Sequence, residues 1–219
     1  GYTASLAGMV LGPAGMVSLI AMPMAGRFIT RMNPKLILAF GIVVSAYSTH
    51  LMSQFNLSAD FYTIVWPRAV LGLGMGFLFI PLTTLTLSSI NKEDMGNAAS
   101  IYNLLRNLGA SCGVAFVTTM LARRAQFYQF RLVEHLTPFD RTYQGVADAA
   151  SRLLQLKGFE PALAQPGGLS LIYGKLMREA SMLACNDTFH LLSVLTMLVL
   201  PLVFIMKSGK EVSKPGAFR

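Results

Sequence analysis

Charged residues are scarce in this chain of 219 residues: they make up 13% of it, while 53% of the residues are hydrophobic. Soluble domains carry about 25% charged residues, so this composition disfavours a soluble domain. A mean hydropathy of +0.53 and several long apolar runs indicate an integral membrane protein. The net charge of +8 comes from basic residues that lie between the apolar runs, which is typical of membrane-flanking loops and not of a nucleic-acid surface.

Cysteine is nearly absent, and no metal-binding pattern is present. Cys112 and Cys185 form no CxxC pair and no Cys/His cluster, so we interpret them as free buried thiols. His50, His135 and His190 are far apart in the sequence and have no second ligand at metal spacing. The sequence therefore predicts structural histidines and no metal site.

An initiator methionine, a signal-peptide pattern and a carboxylate in the middle of an apolar run are also missing. The first residues, GYTASLAG, are typical of a loop that enters a helix, so we expect a piece of a longer protein. Arginine does not deprotonate in proteins. Any group that carries protons is therefore expected outside the cores of these helices.

Five apolar segments are long enough to cross a bilayer, which needs about 20 helical residues. We predict membrane helices at 4–25, 36–54, 61–89, 98–122 and 188–206. The stretch 123–187 is polar, with helical spacing in RLVEHL, VADAASRLLQLKG and GLSLIYGKLMREASML. It is predicted to form amphipathic helices that are broken near TPFD and at QPGG. The last of these helices continues into the fifth membrane helix.

The density of Lys and Arg predicts the orientation. The short loops 26–35 and 90–97 and the tail 207–219 together carry eight basic residues, as many as the much longer stretch 123–187, and this higher density places them in the cytoplasm. The stretch 123–187 then lies on the opposite side of the membrane.

Two arginines lie inside the apolar segments, and a charge there costs about 2.5–3.5 kcal/mol on insertion scales. Arg68 and Arg106 are therefore candidate functional residues. Gly72 and Gly76 follow Arg68 on one helical face, at a spacing that lets a neighbouring helix approach closely. Pro81 interrupts the same segment, as prolines near transporter binding sites often do.

The fourth segment carries a polar stripe beside Arg106, and Gly109 and Gly113 repeat the glycine spacing there. The stripe consists of Ser100, Asn103, Asn107, Ser111 and Thr118. In lipid such a stripe must face protein or water. It either lines a substrate cavity or forms hydrogen bonds between helices, at about 0.6 kcal/mol each. The adjacent arginine favours the cavity, with Asn103, Asn107 and Ser111 in its wall.

At GRFITRMNPK, FIPLTTLTLSSI and SIYNLLRNLGASCGVAFVTTML, the sequence resembles the EmrB/QacA-type drug:proton antiporters, the fourteen-helix branch of the major facilitator superfamily. The resemblance extends from residue 1 to about 207. It implies an all-α transmembrane fold, the C-terminal helical bundle fragment of such a transporter, with five membrane helices and a periplasmic amphipathic loop. The missing N-terminal half of the same chain would contain the acidic residues that take up protons.

The resemblance also implies a cytoplasmic loop motif after the first helix. Gly26, Arg31 and Lys35 match this motif, while Thr30 replaces its acidic residue and Asn33 replaces its second glycine. We expect contacts with acidic groups or lipid from three basic residues: Arg27, Arg31 and Lys35.

The function implied by the resemblance is proton-coupled multidrug efflux across a bacterial inner membrane by alternating access, driven by the proton gradient and without a cofactor. The implied partners are lipophilic small molecules, membrane lipids and, as in some relatives, a periplasmic adaptor with an outer-membrane channel; no nucleic acid is implied. Export of a natural amphiphile such as a lipid or siderophore is an alternative, and a non-transport membrane scaffold is another. An enzyme would need a nucleophile–base pair, paired acids or a metal motif, and the sequence contains none.

Overall fold

The computed structural model describes residues 4–57, 59–88, 90–91, 93–134, 141–156, 158 and 160–205. This part of the chain contains six helices and no strand. The helices are α1 (Ala4–Ile29), α2 (Pro34–Met52), α3 (Phe61–Leu87), α4 (Met95–Glu134), α5 (Arg141–Leu156) and α6 (Pro161–Ile205). All except α5 are long and apolar enough to cross a membrane. The predicted all-α fold class is confirmed.

Two of the helices are much longer than the membrane segments predicted within them. α4 has 40 residues and α6 has 45. At about 1.5 Å per residue both are roughly twice as long as the bilayer core is thick, so they extend well beyond the hydrocarbon. As predicted, the last polar segment continues without interruption into the fifth apolar one.

The predicted break at QPGG is wrong, because α6 continues through Pro166, Gly167 and Gly168. A Cβ at Gly168 would lie 2.8 Å from Ser151 Oγ on α5, and one at Gly167 would lie 2.7 Å from Leu154 Cδ1. These glycines thus allow α5 to pack closely against α6 and do not end a helix. The break predicted near TPFD lies outside the described residues.

The helices belong to two compact units. The first contains α1, α2, α3, α4 up to Val114 and α6 from Phe189. In it, α3 packs against α1 and α2, and Phe77 of α3 belongs to a buried cluster with Ala21 and Ile37. The end of α6 packs against α2 in a second buried cluster, through Val203 and Leu38.

The second unit contains the rest of α4, all of α5 and α6 up to Thr188. One face of α6 is buried in it at every fourth residue: Leu176, Ala180, Ala184 and Thr188. Mostly small side chains at this spacing let another helix lie close to α6.

Candidate functional site

The glycines of α3 lie where this helix contacts its two neighbours. A Cβ at Gly72 would overlap the backbone carbonyl of Ala14 on α1, and one at Gly76 would lie 2.5 Å from the Ala21 Cβ. Gly74 faces the other side, where a Cβ would lie 2.9 Å from a backbone nitrogen of α2. The run GLGMG therefore lets α3 approach α1 on one face and α2 on the other at backbone distance.

The contact between α2 and α3 is close from both sides. A Cβ at Gly41 would lie 2.8 Å from the carbonyl carbon of Phe77. Nearer the start of α3, the buried Ser48 hydroxyl donates a hydrogen bond of 2.6 Å to the Pro67 carbonyl. Pro81 is fully buried, and α3 continues past it to Leu87.

Arg68 follows Pro67 on α3 and is half-buried. Its Nε is buried and has no hydrogen-bond partner among the residues that the structure describes. Arg is always protonated, and a buried charged donor without an acceptor is costly. Arg68 is therefore the side chain of α3 best suited to bind an anionic group.

Arg106 lies on α4 and contacts α3. Its guanidinium lies over the ring of Phe79, 5.2 Å from the centroid. One turn away on both helices, the Tyr102 and Thr83 hydroxyls are 3.3 Å apart. These two contacts join the first part of α4 to α3, and the cation–π geometry holds a positive charge in a fixed position.

The predicted cavity residues of α4 are exposed. Asn103, Asn107 and Ser111 are not covered by the rest of the described chain, and none of the residues of α4 is buried by it. A Cβ at Gly109 or Gly113 would meet no described atom within 4 Å. This polar face is thus available to a ligand or another polypeptide, and its role in substrate binding remains a prediction.

The two arginines are not brought together. Arg106 contacts α3 at Phe79, which lies eleven residues beyond Arg68. At the helical rise this is about 16 Å along the axis of α3.

The residues of the predicted loop motif surround the turn between α1 and α2. Arg27 lies in the last turn of α1, and both Arg27 and Arg31 are exposed. Lys35 is in the first turn of α2, where its backbone nitrogen donates to Asn33 Oδ1 at 3.4 Å. Asn33, which replaces a glycine of the motif, is therefore the N-cap of α2. A Cβ at Gly26 would meet no described atom within 4 Å.

Sequence reasoning missed a contact between two histidines. The rings of His50 on α2 and His190 on α6 are 6.0 Å apart between centroids, with an interplanar angle of 58°. They are separated by 140 positions, so no local spacing reveals the pair. His50 also has a side-chain contact with Gln54, at 3.3 Å.

A second missed contact involves Asp187 in the second unit. Tyr128 Oη on α4 donates a hydrogen bond of 2.7 Å to Asp187 Oδ2. Arg124 Nη1 lies 3.3 Å from the same oxygen. Arg124 and Tyr128 are four residues apart, so they share a helical face. This spacing was the only sign of the contact in the sequence. One carboxylate therefore joins α6 to α4 through a charge-assisted pair.

No group of three or more potential metal ligands occurs among the described residues. Both cysteines are free, as predicted. The predicted burial is wrong for Cys112, which is exposed because no residue of α4 is buried by the described chain.

Comparison with known proteins agrees with this helical membrane architecture. Residues 1–121 match the Major Facilitator Superfamily. The chain is 28% identical over 207 residues to the fatty acid resistance protein FarB of Neisseria gonorrhoeae, an alignment that covers 94% of this chain and 39% of FarB. It is 28% identical over 208 residues to the multidrug export protein EmrB of Escherichia coli, with the same coverage of 94% and 39%. The EmrB of Haemophilus influenzae is 31% identical over 140 residues, which cover 64% of this chain and 28% of that protein.

Five helices are long and apolar enough to cross a membrane, and glycines bring α3 close to α1 and α2, as expected of a multi-pass membrane protein. The chain belongs to the Major Facilitator Superfamily. The resemblance to EmrB-type exporters is confirmed, and the chain spans about 39% of the length of FarB and of the Escherichia coli EmrB.

Proposed function

We propose that this chain is part of a proton-coupled multidrug exporter in a bacterial inner membrane, which works by alternating access and needs no cofactor beyond the proton gradient. The observation that carries the proposal is the similarity over 94% of the chain to an export protein and a resistance protein. The C-terminus is cytoplasmic in this proposal, because the basic loop 26–35 and the tail then lie on the same side.

The substrate cavity lies along the exposed polar face of α4. Asn103, Asn107 and Ser111 offer hydrogen bonds there, and Arg106 supplies a fixed positive charge beside them. Arg68 supplies a second positive charge with an unsatisfied buried donor. It holds an anionic part of the substrate or a carboxylate from the remainder of the exporter.

The second unit faces the periplasm in this arrangement. Its helices are candidates for docking a periplasmic adaptor that leads to an outer-membrane channel. On the cytoplasmic side, Arg27, Arg31 and Lys35 are positioned near the turn after α1 to contact anionic lipid headgroups.

Replacing Arg106 with alanine in the full-length exporter is expected to reduce drug export roughly tenfold, which corresponds to about 1.4 kcal/mol. The loss comprises the charge and the cation–π contact with Phe79. Arg106→Lys keeps the charge but not the planar group, so it should retain an intermediate rate. Efflux of a fluorescent drug from loaded cells measures the effect, normalised to the amount of exporter in the membrane.

Arg131→Ala is the matched control for this experiment. Arg131 is also exposed on α4 and lies over an aromatic ring, that of Phe127, at 5.6 Å. It lies outside the predicted cavity and should leave export unchanged. If Arg106→Ala exports as fast as the parent at equal abundance, Arg106 has no role in the cavity.

A second candidate function is the export of a natural anionic amphiphile. It is favoured by the similarity to a protein named for fatty acid resistance, and by two arginines spaced along a bundle that exposes apolar side chains. Competition between a long-chain fatty acid and a cationic dye separates the two candidates. Inhibition of dye efflux by the acid, together with acid export, would favour the natural amphiphile.

A further inference from the structure

One face of α3 carries a charged group at one end and apolar groups along the rest. α1 and α2 pack against α3 at its glycines. Beside those contacts, Met75 and Phe79 come seven and eleven residues after Arg68, which is close to two and three helical turns. These three residues therefore share one face of the helix. Met75 is 45% exposed, so the middle of this face is open.

The first part of α4 runs antiparallel to α3 along this face. The Tyr102 and Thr83 hydroxyls are 3.3 Å apart, and the Arg106 guanidinium lies 5.2 Å from the centroid of the Phe79 ring. Later residues of α4 therefore come beside earlier residues of α3. Past the contact with Phe79, α4 continues toward the end of α3 that carries Arg68.

An open cleft follows this contact between the two helices. Gly109 and Gly113 are three and seven residues after Arg106, so they lie on the side of α4 that faces α3. A Cβ at either glycine would nevertheless meet no described atom within 4 Å. Asn107 and Ser111 of the predicted polar stripe lie on another side of α4. The cleft is thus distinct from that stripe.

Arg68 has no counter-charge in the part of the chain that the structure describes. The residue is half-buried, and its buried Nε has no acceptor there. It forms no ion pair with a described residue, and Asp60, the nearest acid in sequence, is about 12 Å away along the helix axis. A guanidinium can bind an oxyanion through two parallel hydrogen bonds. This end of the face therefore suits an anionic headgroup.

Two exposed aromatic residues place Arg68 near the membrane surface. Tyr62 and Trp66 of α3 are 82% and 68% exposed, and such side chains concentrate at the interface between membrane and water. Arg68 is only about 3 Å further along the axis than Trp66, and a long basic side chain can extend toward the headgroups. Met75 and Phe79 lie deeper. The face is thus polar at headgroup depth and apolar below it.

We propose that this cleft binds a single-chain amphiphile, with its anionic headgroup at Arg68 and its alkyl chain along Met75 toward Phe79. Charge complementarity selects the anionic headgroup, and the matching depth lets the molecule enter sideways from the membrane. The apolar part is one helix face wide, so it takes one chain and not the two of a phospholipid. Export of this ligand rests on the proposed function, whereas its binding does not.

The test is equilibrium binding of radiolabelled laurate to the full-length protein in phosphatidylcholine nanodiscs, at about pH 8, where the acid is ionised. Dodecanol and dodecyltrimethylammonium, which carry the same chain with a neutral or a positive headgroup, serve as competitors. Laurate should bind at least about tenfold more tightly than either, because hydrogen bonds between charged groups are strong. Arg68→Gln should remove this preference, and Arg131→Gln, on α4 outside the cleft, should preserve it. Equal affinities of the parent protein for the three probes would overturn the headgroup site.

A second set of variants tests the cleft itself. Gly109→Leu fills it and should weaken the binding of all three probes about tenfold, because the alkyl chain loses its apolar contacts. Gly145→Leu, at an open position of α5, is the control and should change nothing. Gly113→Leu is used if Gly109→Leu lowers the yield of folded protein. Unchanged binding in the filled variant would overturn the cleft, and displacement of laurate by phosphatidylglycerol in the nanodisc would overturn the single-chain ligand.

Export measurements separate the cleft from the proposed function. Laurate and drug efflux are measured from cells that contain the same variants. Laurate binding that depends on Arg68, in a protein that exports neither compound, would support the cleft and overturn the proposed function. Drug export by a protein whose laurate binding does not depend on Arg68 would support the proposed function and overturn the cleft.

Discussion

Replacing Gly72 with alanine is expected to lower the free energy of unfolding of the full-length protein by about 3 kcal/mol, at the upper end of the usual cost of overpacking. The new Cβ would overlap the backbone carbonyl of Ala14. A backbone group cannot rotate away as a side chain can, so α1 and α3 must separate. The gain of about 1 kcal/mol from replacing a helical glycine is too small to offset this. The thermal unfolding midpoint of the protein in detergent measures the change.

Gly15→Ala provides the matched control. Gly15 is the neighbour of Ala14 on α1, and a Cβ there would meet no described atom within 4 Å. This substitution should leave the unfolding midpoint unchanged or raise it slightly, because only the helix propensity changes. Equal midpoints for Gly72→Ala and the parent protein would contradict the close packing of α1 against α3.

Asp187→Asn is expected to have the second-largest effect, a loss of about 1–2 kcal/mol in the second unit. Hydrogen bonds to charged groups contribute about 1.5–3 kcal/mol to stability. The side chains of Arg124 and Asp187 are 40% and 33% exposed, so solvent weakens the attraction between them. The substitution removes the charge that Arg124 contacts and weakens the bond from Tyr128. Thermal unfolding of the purified protein, followed by intrinsic fluorescence, gives the change.

A double-mutant cycle with Tyr128→Phe isolates the contact. If the hydroxyl and the carboxylate interact as the 2.7 Å distance indicates, the effects of the two substitutions will not add. Asp148→Asn is the control, since Asp148 is exposed on α5. Strict additivity of Tyr128→Phe and Asp187→Asn would show that the bond contributes nothing to stability.

The helices could be predicted from the sequence because their evidence is local. Apolar runs of about 20 residues must be helical in lipid, where every backbone group needs an internal partner. The same local logic failed at QPGG, since glycine and proline are ambiguous signals. There the glycines face α5, and whether a glycine ends a helix or admits a neighbour depends on what lies beside it.

The candidate site was predicted in part. Glycine spacing identified Gly72 and Gly76 as a contact face of α3, but not Gly74, which faces α2. The two intramembrane arginines were found because charges are rare in apolar segments. The distance of about 16 Å along α3 from Arg68 to Phe79, the ring that Arg106 contacts, was not predictable, because it depends on which part of α4 lies beside α3.

The sequence by itself determined that this is a helical membrane protein. It predicted five helices that can span a membrane, two arginines within these apolar segments and a polar face on α4. Composition and periodicity suffice for this, because the bilayer restricts what an apolar segment can become. Only the tertiary structure decided which residues meet. The pairing of His50 with His190 and of Tyr128 with Asp187 depends on the register between helices far apart in the chain. Hydrogen bonds and side-chain packing between the helices fix that register, as between Ser193 and Ala46 and between Val203 and Leu38, and no repeat along one helix encodes it.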